Sequence, residues 1–399
     1  MYGCIRGRKL PKRIGKILKN IPLAKTSNKT ITEKEEYIKN PSQILRELIE
    51  NSIDAESSKI NIKIDRGGLG LIEVKDNGIG MNPQEMLLSI DRKSYSQNNT
   101  NKLFGTNGDM LHQISKIAKI ELICKEKNKT RGSILKVSNK KIQPVKECYA
   151  DIGTKIQIRD LFYNKSKIRQ LTKDTKIDDF SHIVNTYAIA FPKIGFTARI
   201  NGKDILNVPI EDKLSKDPFI SRIKSVLGKN VSNSMIKFSN EIDDIKVSIL
   251  LTNQRQSFKK DNYQFIFVNQ KPVQEIHVKA MINDLYQKSF DIKDYPAFFV
   301  FLDIKNEYFE IKRNSNNEID FKEEKIFKIL KSILLDGFSK EIYNKKTSQN
   351  KEINLSKISI RLHDNYEIKQ SKNGLIIKDS KKNKKIEISL SSIKSYFKS

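Results

Sequence analysis

Apolar positions along this chain change period several times, and each change predicts an element. From Pro41-Ser42-Gln43, which reads as a helix start, Leu45, Leu48, Ile49 and Ser52 fall on one stripe at helical spacing, so a helix with a core-facing side is predicted. Ile60 to Asp65 alternates as a strand does, Gly67-Gly68 supplies a turn, and Leu71 to Lys75 alternates again, which predicts a hairpin. A helix is predicted over Pro83 to Ile90 and another over Met110 to Ile117, with a polar, Asn-rich loop from Arg92 to Gly108 between them. Strands are expected near Ile120 to Lys125, Ser133 to Val137 and Thr154 to Arg159. That order predicts a sheet covered by helices on one face.

The polar run Glu211 to Asp217 separates this pattern from a second one. Strands are predicted there at Lys246 to Leu251, Gln264 to Asn269 and Ala297 to Ile304, with helices at His277 to Tyr286 and Lys325 to Leu335. After Lys345 comes the linker-like run Thr347 to Asn350, and then a Lys-rich tail with short alternating segments, Leu375 to Lys378 and Ile386 to Leu390. The tail reads either as a small β module or as a disordered segment. The expected organisation is therefore a basic arm (1–32), a first α/β domain (33–212), a second α/β domain (213–340) and the tail (341–399), an α/β (α+β) class of fold.

Composition narrows the function. At 399 residues the chain is long enough for two or three domains. No apolar stretch is long enough to cross a bilayer, so no membrane partner is expected. Cys4, Cys124 and Cys148 have no paired spacing, and four histidines add no metal motif. A formal charge of +28, from 75 Lys plus Arg against 47 Asp plus Glu, attracts polyanions, and nucleic acid is the obvious one. An AT-rich genome would also enrich Lys, Asn and Ile, and accounts for part of the excess. The arm holds Arg6, Arg8, Lys9, Lys12, Arg13, Lys16, Lys19, Lys25 and Lys29 with no acidic residue before Glu33. It reads as a transit peptide, a nuclear localisation patch, a DNA-contacting arm or a plain leader.

The chemistry concentrates in Glu47-Leu48-Ile49-Glu50-Asn51-Ser52-Ile53-Asp54-Ala55 and Asp76-Asn77-Gly78-Ile79-Gly80, which flank the hairpin. On a helix Glu47, Asn51 and Asp54 sit at i, i+4 and i+7, one polar stripe able to line a pocket. Asp76 shares strand parity with Ile72 and Val74, so it projects from the apolar face, where a carboxylate needs a donor such as an adenine amino group. Gly78 and Gly80 remove side chains where a base would approach the backbone. Gly105-Thr106-Asn107-Gly108 ahead of a helix can cradle phosphates, and Gly153-Thr154 follows as a fourth element.

These four elements, in this order, resemble the motifs of the Bergerat-type (GHKL) ATPases shared by gyrase, the large heat-shock chaperone, histidine kinases and MutL proteins. Within that superfamily the chain resembles the MutL family of DNA mismatch-repair proteins over roughly residues 33 to 335. The helix Arg46 to Ala55 is similar to the family's hallmark helix, and Gly105 to Leu111 to its lid. Asp160-Leu161-Phe162-Tyr163-Asn164 and Phe267-Val268-Asn269-Gln270-Lys271 are further signatures. The resemblance implies a GHKL ATPase domain followed by a ribosomal-protein-S5-like transducer, with ATP and Mg2+ as cofactors. It makes Glu47 the general base, and gives Asn51 the metal. Asp76 reads adenine, supported by Thr154, while Asp54, Gly78, Gly80, Gly105 and Gly108 contribute to the nucleotide site. The implied partners are DNA held by its backbone, a MutS-like mismatch-recognition protein, and a homo- or heterodimeric MutL-like partner on ATP binding.

Departures from the family pattern are local. Tyr95-Ser96-Gln97 stands where a Thr-Ser-Lys triplet is usual, Asp109 where the lid has Glu, and Glu33-Lys34-Glu35-Glu36 where the entry segment reads Ala-Ala-Gly-Glu. Arg313-Asn314-Ser315-Asn316 aligns with a His-Pro-x-Lys run whose lysine, at Asn316 here, reaches the terminal phosphate; Arg313 or Lys312 is the nearest substitute. Residues 340 to 399 show no endonuclease-type metal signature, and the family's C-terminal dimerisation domain is expected to be absent. A degenerate, non-hydrolysing scaffold or another GHKL ATPase, of topoisomerase or chaperone type, is the alternative function. The nucleus is the favoured setting for a eukaryotic chain and the cytoplasm for a bacterial one, with the nucleus preferred.

Overall fold

In a computed structural model the described residues are 38, 40–90, 103–104, 109–172, 177–211, 217–254, 256–312, 317–351, 359–361, 366–371, 374–379 and 384–389, with side chains described only up to residue 340. They form two compact units, Met1–Leu334 and Leu335–Ser399.

Helix α1 (Pro41–Asp54) starts where the sequence pattern places it: the Asn40 side chain accepts from Ser42 N at 2.9 Å and Pro41 occupies the first turn. Its buried residues include Leu45, Leu48, Ile49 and Ser52, the stripe read from the sequence. Strands β1 (Lys59–Asp65) and β2 (Leu71–Asp76) pair antiparallel across a tight turn at Arg66–Gly68. Helix α2 (Pro83–Ile90) opens with a reciprocal cap, in which Glu85 N donates to Asn82 Oδ1 and Asn82 N to Glu85 Oε2, both at 2.9 Å. Helix α3 (Asp109–Ser115) leads into β3 (Lys119–Lys125) and β4 (Gly132–Ser138), followed by the short strands β5 (Lys141–Ile142) and β6 (Lys146–Cys148) and then β7 (Gly153–Arg159).

Helices α4 (Ser166–Leu171) and α5 (Ile177–Ala190) precede β8 (Gly195–Ile200) and β9 (Lys203–Val208). All these strands join one nine-stranded mixed sheet, ordered β5-β4-β3-β7-β2-β1-β8-β9 with β6 on β4. The β1–β8 pair is parallel, so the chain crosses over between them, and α5 packs on α1 and β8 in that crossover.

Next come α6 (Pro218–Leu227), α7 (Lys229–Ser232), β10 (Met235–Ile242), β11 (Ile245–Thr252), β12 (Gln264–Val268), β13 (Lys271–Val273), α8 (Ile276–Phe290) and β14 (Phe298–Asp303). The strands among them make a second sheet, β10-β11-β14-β12-β13. The hairpin β15 (Phe309–Lys312) and β16 (Glu318–Phe321) precedes the long helix α9 (Glu324–Lys351). Leu250, Phe265, Phe267 and Phe299 of the second sheet belong to the same hydrophobic cluster as Leu45, Ile60 and Ile158 of the first. One continuous core thus holds both sheets in the first unit, and it stabilises each by removing apolar area from water.

In the second unit, β17 (Ser359–Arg361), β18 (Tyr366–Ser371), β19 (Gly374–Asp379) and β20 (Lys384–Ser389) form a four-stranded antiparallel meander. Among the described residues no helix is long and apolar enough to cross a membrane.

Candidate functional site

Asp76 ends β2 with its side chain in the core, 5% exposed, as strand parity requires. The sequence left its donor to a ligand; the protein supplies several itself. Oδ1 accepts from Gly78 N at 2.9 Å and Thr154 N at 3.1 Å, and Oδ2 accepts from the Ser52 hydroxyl at 3.0 Å. Burial nonetheless raises its pKa, against the lowering effect of the donors from Gly78, Thr154, Ser52 and Ser57.

Ser52 therefore ties helix to strand end. It sits on the buried side of α1, and its hydroxyl lies 3.0 Å from both Leu48 O and Asp76 Oδ2. Its neighbour Asn51 and the residues one turn either way, Glu47 and Asp54, are half-buried on the adjacent face. At about 1.5 Å rise per residue, Glu47 lies ~7.5 Å along the helix from the turn that touches Asp76, a span that a nucleoside triphosphate covers readily. The structure thus brings Ser52 of α1, Asp76 and Thr154 together, with Glu47, Asn51 and Asp54 on the same helix. The thiol of buried Cys124 donates to Thr154 Oγ1 at 3.8 Å, closing the site from behind; its pKa is pushed up to about 12, chiefly by burial.

Asp54 Oδ1 accepts from Phe104 N at 3.1 Å, beside Gly105 in sequence. A Cβ on Gly78 would lie 2.4 Å from Ala55 O, and one on Gly80 2.4 Å from Lys125 O, so neither position has room for a side chain. Gly153 has φ +109° and packs on Asp76 O, a conformation and a proximity that a side chain would forbid. Asn77 accepts from Ser58 N at 3.0 Å and Lys59 N at 2.8 Å, which holds the entry to β1.

Gly105, Gly108, Tyr95-Ser96-Gln97, Arg313 and Asn316 lie outside the described residues, as do Glu33 to Glu36 and the side chain of Asp109. The Lys312 ammonium pairs with Asp320 across the β15–β16 hairpin at 2.5 Å. The Asp160-to-Asn164 segment is a buckle. Leu161 and Phe162 are buried, Phe162 N donates to Ile117 O at 2.8 Å, and the Asn164 amide donates to Lys116 O at 2.8 Å. Arg169 of α4 donates to Leu161 O at 2.8 Å. Among the described residues no cluster of His, Cys, Asp or Glu could hold a metal ion by itself.

Sequence reasoning missed Tyr187 of α5, whose hydroxyl donates to Glu50 Oε1, and Asn317, whose amide reaches the same oxygen at 3.4 Å. The apolar run of α5 gave no sign of that contact.

A sheet covered by helices, with an amide and carboxylates on one helix face beside a buried strand-end aspartate, is the arrangement the resemblance to GHKL ATPases implies. Residues 37–138 match the family described as histidine kinase-, DNA gyrase B-, and HSP90-like ATPase. Residues 223–336 match the DNA mismatch repair protein, C-terminal domain. Among curated relatives, the DNA mismatch repair protein MutL of Clostridium acetobutylicum is 29% identical over 381 residues, which is 90% of this chain and 59% of that protein. Its namesake from Halothermothrix orenii is 28% identical over 317 residues, 77% of this chain and 48% of that protein. The chain thus spans 48% to 59% of the length of these two relatives.

Among solved structures, the Aquifex aeolicus MutL ATPase domain complexed with ADP matches with a TM-score of 0.53 at 20% identity, covering 67% of this chain and 93% of that one. The N terminal domain of a DNA repair protein matches with a TM-score of 0.65 at 22% identity, covering 77% and 96%. At those identities the likeness is one of fold. The chain is similar to the MutL family of DNA mismatch repair proteins over most of its length. These MutL relatives are bacterial, which gives the expected nuclear preference no support.

Proposed function

We propose that this chain binds ATP with Mg2+ and hydrolyses it, coupling the nucleotide cycle to DNA mismatch repair. The observation that carries this reading is Asp76, buried and held by Ser52, Gly78 and Thr154 at the foot of the helix bearing Glu47 and Asn51. Its carboxylate is an acceptor of the kind an adenine amino group needs, with Thr154 beside it. Asn51 offers an amide oxygen, the hard donor a magnesium ion takes, and so fits the metal. Bound there, the ion would neutralise the triphosphate charge. Glu47, one turn earlier, would orient the attacking water and accept its proton. Gly105 and Gly108 would wrap the phosphates.

The net charge of +28 supports binding of DNA through its backbone. A MutS-like mismatch-recognition protein, a second MutL-like chain joined on ATP binding, and a bacterial cytoplasmic setting complete the reading, on the strength of the relatives. Steady-state ATPase assays with and without single-stranded DNA test it. Glu47→Ala is expected to retain nucleotide affinity and lose turnover about 100-fold or more; equal turnover in both proteins rejects the assignment.

One observation favours a non-hydrolysing scaffold instead. Lys312 is engaged by Asp320, and among the described residues the loop end that reaches α1 presents the amide of Asn317 rather than a cation. Nucleotide binding without magnesium-dependent phosphate release would select that second reading.

A further inference from the structure

We propose that Glu50 is a positioning residue: its Oε1, gripped by Tyr187 and Asn317, couples the second sheet's module and the lid base to the helix turn that carries Glu47 and Asn51. The proposal rests on the ATPase reading for its catalytic consequence, and on geometry for the coupling itself.

Glu50 lies one turn after Glu47 and next to Asn51 on α1. Two donors from different parts of the chain converge on its Oε1, the Tyr187 hydroxyl from α5 and the Asn317 amide at 3.4 Å from the start of β16. Tyr187 is 1% exposed, and a phenol so buried needs a hydrogen-bond partner. Burial, followed by the Glu50 charge, raises its pKa well above the ordinary value, so it stays protonated and donates. Its ring packs at 6.1 Å on Phe104, which packs at 6.1 Å on Phe191.

Phe104 is thus held to α1 twice: its N–H goes to Asp54, and its ring leans on the tyrosine bound to Glu50. On the other side, Asn317 is fixed by its own backbone. It adopts φ 50°, which asparagine tolerates, and its carbonyl accepts from Gln274 N at 3.1 Å beside β13. A displacement of that module moves a donor on Glu50, and the competing donor on the same oxygen is the residue that supports the lid base. Sharing one acceptor makes the two contacts interdependent.

The test compares Tyr187→Phe, which keeps the ring and removes the hydroxyl, with Asn317→Ala and the double variant, in the full chain. Each single variant is expected to lower kcat about threefold to tenfold with nucleotide affinity within about twofold of wild type, and the double to lose no more than the worse single. Multiplying effects, or an unchanged kcat in both singles beside an active wild type, overturn the proposal. Hydrogen exchange provides a readout that needs no turnover. Asn317→Ala is expected to speed exchange at the Phe104 amide, which Asn317 does not touch, and unchanged exchange there overturns the coupling. An inactive wild type would defeat hydrolysis alone and leave the exchange result decisive.

Discussion

Ser52 and Asp76, 24 residues apart in sequence, share a 3.0 Å hydrogen bond that fastens helix α1 to the end of β2. Both are almost fully buried, and the Ser52 hydroxyl is the donor to Asp76 Oδ2. Ser52→Ala leaves that oxygen with one donor fewer inside the core. A cost of about 1–3 kcal/mol in unfolding free energy is expected, because the carboxylate keeps its desolvation penalty. Urea denaturation measures it. Since α1 also carries Glu47 and Asn51, nucleotide affinity should weaken as well, and a variant of wild-type stability and affinity would show the bond to be idle.

Asp76 also makes a pH prediction. Its folded-state pKa is raised above the ordinary 3.8 by burial, so the folded chain holds this proton more tightly than the unfolded chain. The stability it contributes is complete below pH 3.8 and is lost as pH rises through the raised value. Asp76→Asn has no proton to lose. The unfolding free energy of wild type minus that of Asp76→Asn should therefore fall as pH rises above about 4, with other titrations cancelling in the difference. Urea midpoints at a few pH values supply the comparison, and a difference that stays flat or rises contradicts the burial account. The same variant should bind nucleotide at least tenfold more weakly, through loss of an acceptor.

How much of this was legible follows from the reach of each interaction. Helix α1 and the β1–β2 hairpin showed in local period, because the stripe Leu45, Leu48, Ile49 and Ser52 and the alternation of Ile60 to Asp65 are short-range patterns. Parity alone placed Asp76 in the core. Its partners were not legible: Ser52 passed as a small member of an apolar stripe, and its hydroxyl direction depends on tertiary packing. Helix α5 went unread although Asp178, His182 and Thr186 recur at helical spacing beside the buried Ile183, Val184 and Tyr187; its last turn, Tyr187 to Ala190, is buried all round and hides the period. Tyr187 meets Glu50 across 137 residues, and the parallel β1–β8 pair likewise joins distant segments. Gly78 and Gly80 stood out correctly as positions without room for a side chain, but the neighbours that fill the room are Ala55 and Lys125.

Arg222 joins the second sheet's module to the first. It is fully buried on α6, and its Nη2 donates to the carbonyls of Pro192 at 2.6 Å, Ile194 at 3.0 Å and Pro209 at 2.8 Å, with Glu211 3.4 Å from Nε. Arg222→Met fills the space but strands those carbonyls and leaves the Glu211 charge without its partner. A loss of about 3–5 kcal/mol is expected, as when one member of a buried pair is removed. Glu211→Gln should cost less, because the carbonyls keep their donor. Denaturation of both variants ranks them, and the reverse order would place the stability in the ion pair rather than in the carbonyl contacts.

Asp54 separates two roles that family resemblance merges. Its Oδ1 accepts the Phe104 amide at 3.1 Å, so it holds Phe104, the residue before Gly105, to α1. A hydrogen bond to a carboxylate contributes about 1.5–3 kcal/mol, and Asp54→Ala should therefore accelerate local exchange at Phe104 by roughly tenfold or more. Nucleotide affinity should fall, but by less than in Asp76→Asn, because the phosphate-binding segment loses its support while adenine keeps its acceptor. Isothermal titration beside hydrogen exchange reads both effects. Should Asp54→Ala abolish binding while Phe104 exchange stays unchanged, the carboxylate touches the nucleotide itself and the lid base is held by the Phe104 packing on Tyr187 and Phe191.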